Sequence, residues 1–254
     1  AARGATPGGS MVDLEPFKRA AGEAAASVVA DHHVVGLGTG STARYVIEAI
    51  GRDLASGRLT GVRGVATSQA SELLARAAGI PLIELGAEGV DVAIDGADEI
   101  DPVLDAIKGL GGALTREKIV AASARRFVLV ADASKRVTRL GERAPVPVEV
   151  VRFGWRRTAA LLTALGFAPQ LRGGEVDPVV TDNAQLVLDC HVPAGFDAAA
   201  FAATVSPLPG VIDHGLFLGV ASDAFIADPD GVVHLQRAAG GPASARRLAT
   251  SGAS

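Results

Sequence analysis

The chain has a single cysteine, Cys190, in 254 residues. That excludes an intrachain disulfide framework and a zinc site built from several cysteines. Positive charge is not in excess either: 24 basic against 28 acidic residues give a net −4 with histidines neutral. There is no polycationic field of the kind that holds nucleic acid, although a small anion site stays open. No apolar stretch reads as a membrane span, and none opens the chain as a secretion signal would. A cytoplasmic protein with no membrane or nucleic-acid partner is therefore the expectation. Lysine is also scarce. Among the 24 basic residues only Lys18, Lys108, Lys118 and Lys135 are lysines. An ammonium is a compact charge whose pKa burial can lower, and a guanidinium cannot replace it in proton chemistry. What is plentiful is apolar residues, 48% against 20% charged, the balance of a folded globular protein. The length suits one good core, or a main domain with a smaller one.

The chemistry concentrates in Asp95-Gly96-Ala97-Asp98-Glu99 and in the segment from Lys108 through Gly109, Leu110, Gly111 and Gly112 to Glu117 and Lys118. The first ends an apolar run from Val90 to Ile94 that reads as a buried parallel strand carrying one acid, Asp91. Acids at the carboxyl end of such a strand lie where open α/β sheets bind their ligands. The second puts a lysine and three glycines on a loop entering a helix, with Thr115 the expected N-cap and Glu117 in the first turn. Carboxylates, a lysine and a glycine-lined anion hole together suit proton transfer. A polar turn followed by a capped helix is the plainer alternative. Metal binding is a rival for the crowded acids Asp95, Asp98, Glu99 and Asp101, but EF-hand spacing is absent and a lysine stands nearby to balance charge.

Upstream, Asp13 precedes a helix expected over Leu14–Ala30, with Pro16 tolerated in its first turn. Lys18 sits near the electrostatically unfavourable end of that helix. A bound anion would remove the conflict, and solvent exposure would make it cheap. Gly36-Leu37-Gly38-Thr39-Gly40-Ser41-Thr42 then joins a strand to a helix over Ala43–Leu54, the arrangement that aims backbone N–H groups at phosphate. It lacks the Gly-Lys-Ser/Thr ending of a P-loop, and a dinucleotide reading from Gly36 puts Ser41 where the last glycine belongs. Two terminal hydroxyls suit a small phosphate monoester; a merely structural turn is the alternative. Strands are expected over Val62–Ala66, Pro81–Leu85 and Arg126–Ala131, with a helix over Ser68–Ala78. Asp132 and Lys135 follow the last strand. This alternation predicts a parallel sheet covered on both faces.

From Pro145 the pattern changes. A strand over Val148–Phe153, a helix over Arg156–Leu165 and a hairpin-like pair of Val179–Asp182 with Gln185–Val192 suit a small α+β domain. Cys190 alternates with Leu188 and Val192 and reads as a buried small hydrophobe, Trp155 as a packing residue, and Asp182-Asn183 as a turn. A helix over Phe196–Ala203 follows, Val211–Val220 and Ala224–Ile226 are expected to rejoin the main sheet, and Asp228-Pro229-Asp230-Gly231 is a turn. The expected fold class is α/β: a Rossmann-like parallel-sheet domain over 11–144 and 211–237, a small inserted α+β domain over 145–210, and loose ends at 1–10 and 238–254.

Four runs in order, Gly36–Thr42, Asp95–Glu99, Lys108–Lys118 and Val130–Lys135, resemble the A-type ribose-5-phosphate isomerases. Pro147–Val150, Val180–Asn183 and Pro209–Val211 fit the same family, and the resemblance runs from about Asp13 to Val233. It implies interconversion of ribose 5-phosphate and ribulose 5-phosphate through an enediol(ate), with no metal and no organic cofactor. It implies Glu117 as the base, and Asp95, Asp98 and Lys108 in ring opening, oxygen protonation and enediolate stabilisation. On the substrate side it implies Gly38, Thr39, Gly40, Ser41 and Thr42 of the phosphate loop, Gly109 and Gly111, and the phosphate-contacting Lys18 and Lys135. A homodimer or homotetramer is implied as well. Leu110 departs from the three consecutive glycines the family often carries. The rivals are another phosphosugar isomerase, a CoA-transferase-like relative, and a non-catalytic sugar-phosphate sensor, which would have little reason to keep Glu117 with Asp95, Asp98 and Lys108.

Overall fold

The computed structural model describes residues 13–248. The expected loose end at 1–10, and residues 249–254 of the expected tail, lie outside them. The chain opens with α1 (Glu15–Ala26), which has Pro16 in its first turn and buries Ala21, Gly22, Ala25 and Ala26. Then come β1 (Val34–Leu37), α2 (Ala43–Ala55), β2 (Arg63–Ala66), α3 (Gln69–Ala77) and β3 (Val92–Gly96). The short β4 (Glu99–Ile100) and β5 (Ala106–Ile107) lead to α4 (Leu114–Ala122) and β6 (Phe127–Asp132). Every residue of β6 is buried, as expected of an interior parallel strand, and each Val or Leu so enclosed contributes about 1.5–3 kcal/mol.

The small sheet comprises β7 (Val146–Val150), β8 (Ala168–Leu171), β9 (Leu186–His191) and β10 (Val211–His214), with α5 (Trp155–Ala164) and α6 (Ala198–Val205) among them. The chain closes with β11 (Leu216–Phe217), β12 (Asp223–Asp228), β13 (Gly231–Ala238) and β14 (Gly241–Arg247). The main sheet has the order β14-β13-β12-β6-β3-β1-β2. From β12 to β2 it is parallel, and β13 and β14 extend it antiparallel. This is an α/β fold with a mixed sheet and an inserted subdomain. One apolar cluster fills each face of the main sheet, and a third lies under the small sheet.

Several expectations are corrected. Residues 241–247, expected in a loose tail, form β14 against β13. Pro81–Leu85 is no strand: it touches β2 through one bridge, Gly64 with Leu82, and Pro81 has no N–H to extend a ladder. The hairpin partner of β9 is β8, with only a single bridge from Val180 to Leu186; Pro169 within β8 hides that strand from a propensity reading. Of the stretches expected to rejoin the main sheet, Ala224–Ile226 does so within β12, whereas Val211–His214 pairs with β7 in the small one. Cys190 is fully buried, and Trp155 packs against the small core.

Candidate active site

The cleft lies beyond the carboxyl ends of β1, β3 and β6, where an open α/β sheet leaves room for a ligand, and its cavity is about 100 Å³. Thr39, Gly40, Ser41 and Thr42 form one wall, ahead of α2. Gly40 has φ +114°, a conformation that favours glycine. Thr42 stands at the N-cap of α2 without a capping side-chain bond. The Arg44 and Tyr45 N–H groups already donate to Gly40 O and Thr42 O, each at 3.1 Å, so what the loop offers an anion is the positive amino end of the helix with the Ser41 and Thr42 hydroxyls. Thr39 is fixed from behind: its hydroxyl bonds Thr67 Oγ1 at 2.9 Å and Ser68 Oγ at 2.7 Å, and its N–H donates to Asp95 Oδ1 at 2.9 Å.

The opposite wall carries Asp98, Lys108, Gly109, Gly111, Glu117 and Lys135. Lys135 sits on a single 3₁₀ turn after β6, capped by Asp132, whose Oδ1 accepts from the Ser134 N–H. Asp95, on β3, is buried behind these lining residues. Lys108 Nζ is 2.9 Å from Asp95 Oδ2 and 3.2 Å from Glu117 Oε2, and all three side chains are less than 5% exposed. The ammonium aims its aligned hydrogen bond at Gly96 O, 2.6 Å away. Asp95 Oδ2 and Glu117 Oε2 are thereby left buried with no aligned donor. Two carboxylates share one ammonium in a nearly dry pocket.

The proton affinities follow. Burial, reinforced by the neighbouring Asp95 and only partly offset by Lys108, pushes the Glu117 carboxyl up to about 8. Burial also raises Asp95, against the pull of Lys108 and of the Thr39 and Gly96 N–H groups. Burial alone would lower Lys108, but Asp95 and Glu117 outweigh it and hold the ammonium charged, above its ordinary value.

Three expected members, Asp95, Lys18 and Gly38, do not line the cleft. Lys18 Nζ bonds Glu15 Oε1 at 2.8 Å on its own helix, so the misplaced charge is answered by a first-turn acid rather than by solvent or an anion. Gly38 lies behind the wall, where a Cβ would stand 2.4 Å from Asp95 Cγ and 2.5 Å from its Cα; it gives Asp95 room rather than touching a ligand. Thr115 is not the N-cap of α4. Ala113 takes that place, and the Thr115 hydroxyl donates to buried Glu149 instead. Glu117 still falls in the first turn. The four crowded acids diverge: Glu99 turns to the N–H groups of Gly141, Arg143 and Ala144, and Asp101 to those of Val103 and Asp105.

The sequence matches the family model described as ribose 5-phosphate isomerase A (phosphoriboisomerase A) over residues 63–231. It is 50% identical to ribose-5-phosphate isomerase A of Deinococcus radiodurans, across 89% of this chain and 100% of that protein. It is 53% identical to the Roseiflexus castenholzii protein of the same name, across 89% and 97%. Among solved structures, ribose 5-phosphate isomerase A of Methanocaldococcus jannaschii superposes with a TM-score of 0.83 at 36% identity, over 88% of this chain and all of that one. The Plasmodium falciparum ribose 5-phosphate isomerase gives 0.84 at 36% identity, over 89% and 100%. The chain belongs to the ribose 5-phosphate isomerase A family.

The supports around the cleft of this family member are barely legible in its sequence. Glu149 is fully buried and accepts from the Thr115 and Thr181 hydroxyls and the Asn183 amide. Arg116 on α4 reaches Asn183 Oδ1 at 2.8 Å and Asp182 O at 2.7 Å, so the expected turn at Asp182-Asn183 is also a grip on α4. Lys118 turns away from the cleft to Asp213 Oδ1, 2.6 Å away, and to His214 O. The one sequence signal was an acid in the middle of an apolar strand, Val146-Pro147-Val148-Glu149-Val150, since a buried carboxylate demands partners.

Proposed function

We propose that this protein interconverts D-ribose 5-phosphate and D-ribulose 5-phosphate by moving a proton between C2 and C1 through an enediol(ate). The observation that carries the reading is a buried glutamate of raised proton affinity, Glu117, lining the same cleft as a glycine-and-hydroxyl loop at a helix amino end. Family membership supports it. A carboxylate with affinity near 8 is a far stronger base than an exposed one. Ionised Glu117 takes the proton from C2 of the open-chain aldose, and the electron pair moves toward the carbonyl oxygen on C1. The Lys108 ammonium, kept charged by its two carboxylates, stands ready for the oxygen that becomes negative. Glu117 then returns the proton to C1, giving the ketose. Asp95 and Asp98 are assigned to ring opening and to moving hydroxyl protons.

The phosphate takes no part in the bond changes, yet it fixes the sugar so that one carboxylate can serve both carbons. Ser41, Thr42, the amino end of α2 and Lys135 are assigned to it, with Gly109 and Gly111 lining the sugar. Lys18 and Gly38 are left out of this assignment.

The test is proton exchange at C2 of ribose 5-phosphate, followed by NMR in heavy water with a chelator present. Native protein is expected to form ribulose 5-phosphate with exchange, and Glu117→Gln to lose about 10³-fold in kcat while still binding substrate. Tight binding by native protein without exchange would overturn the reading, and full activity of Glu117→Gln would overturn the role of Glu117.

A further inference from the structure

Lys108 enters the cleft from a glycine loop, and glycine-rich backbone does not hold itself still. Gly109 has φ +105° and Gly112 φ +83°. The loop also shapes its neighbour: the Leu110 N–H donates to Asp98 Oδ2 at 2.9 Å. The loop closes one bond of its own, Gly112 N–H to Gly109 O at 2.9 Å; the restraint from outside comes from the small sheet, more than sixty residues further on. Arg172, directly after β8, donates through Nη1 to Gly109 O at 2.9 Å and to Leu110 O at 3.0 Å. Its Nε and Nη2 grip the Asp189 carboxylate on β9. Both side chains are largely enclosed, 13% and 18% exposed. The backbone beneath is tied as well, with Arg172 N donating to Val187 O at 3.0 Å and Arg172 O accepting from Val179 N at 2.9 Å.

These contacts use most of the guanidinium's N–H donors. Arg172 does not line the cleft, so it is not free to serve as a phosphate ligand. Only a planar fork reaches a carboxylate on one side and two carbonyls on the other; a lysine at this place would lose one set. Carbonyl oxygens held from outside leave the Leu110 N–H facing Asp98. We propose that Arg172, braced by Asp189, is a positioning residue that sets the 109–112 loop and, through the Leu110 N–H, orients Asp98. Its catalytic consequence rests on the isomerase reading above; its structural half does not. The small sheet then takes part in assembling the cleft, which accounts for a half-buried ion pair at its junction with the main domain.

The test combines steady-state kinetics on ribose 5-phosphate with hydrogen exchange at the Leu110 amide, in Arg172→Ala, Arg172→Lys and Asp189→Asn. Because a displacement of about 1 Å can cost about 10²-fold, Arg172→Ala is expected to lose about 10–100-fold in kcat. KM should change by less than about threefold, since substrate contacts are kept. The Leu110 amide should exchange at least about tenfold faster as its bond to Asp98 loosens. Arg172→Lys should fall between native and Arg172→Ala, and Asp189→Asn should shift the same readouts more weakly. Native kcat with native Leu110 exchange in folded Arg172→Ala overturns the proposal. So does a rise in KM at unchanged kcat, which would make Arg172 a binding residue. If Arg172→Ala does not fold, the other two variants carry the same test. If native protein does not isomerise ribose 5-phosphate, the functional reading fails, while Leu110 exchange still decides the clamp.

Discussion

Two buried glutamates meet at α4, Glu117 on the helix itself and Glu149 on β7, and they are treated oppositely. Glu149 receives two hydroxyls and an amide, so both of its oxygens are engaged. Glu117 receives only a share of one ammonium, and its Oε2 has no aligned donor. The same helix meets both: Thr115 donates to Glu149, and two residues later Glu117 faces the cleft. A fully partnered carboxylate is a strut, because moving it breaks several hydrogen bonds at once. An under-partnered one is poised, because burial without donors raises its affinity for a proton. The fold keeps one acid satisfied to hold the helix, and the other unsatisfied to work.

The largest expected effect that sharpens this contrast is on stability against pH. Glu117 binds its proton more tightly folded, at about 8, than unfolded, near the ordinary 4.5. The folded state therefore holds more protons than the unfolded state between those values, and stability falls as pH rises through that window. Relative to native protein, Glu117→Gln should be about equal near pH 4.5 and more stable by several kcal/mol above pH 8, as urea denaturation at pH 5 and pH 9 would record. Glu149→Ala should do the reverse, costing about 3 kcal/mol at neutral pH because Thr115, Thr181 and Asn183 lose their acceptor. A cost near zero would break the comparison, since Glu149 would then be no strut.

A smaller effect comes from a carboxylate with strong partners far from the cleft. Asp223 accepts two bonds from Arg126, each 2.9 Å, and one from His234 at 2.7 Å. Burial opposes its ionisation, but these donors outweigh burial and pull it down to about 2. Its folded pKa lies below its unfolded value, so its contribution is full above about pH 4 and is lost as pH falls through 2. Asp223→Asn should cost about 2 kcal/mol at neutral pH in urea denaturation and leave kcat unchanged. A changed kcat would tie this distant pair to the cleft.

What was legible in the sequence was what is local. Gly36 to Thr42 and the Lys108–Glu117 segment each carry strand end, loop and helix start within about a dozen residues, so their chemistry and geometry could be read together. What was hidden depends on distant partners. Thr115 looks like a cap until Glu149, 34 residues away, claims its hydroxyl. Lys18 looks like an unpaired cation until helix geometry sets it beside Glu15. Nothing local marks Arg172, because its carbonyl partners lie 62 and 63 residues earlier. β8 escapes through Pro169, and β14 through a composition of small residues and arginines that only pairing with β13 orders.

The most direct measurement is the titration of the Glu117 carboxyl itself, by carbon-13 NMR of the free protein, with Glu117→Gln used to assign the signal. The account predicts a midpoint near 8, belonging to the coupled group of Glu117, Asp95 and Lys108. A midpoint near the ordinary 4.5 would contradict it: Glu117 would then be as well satisfied as Glu149, and the distinction between strut and base would fall.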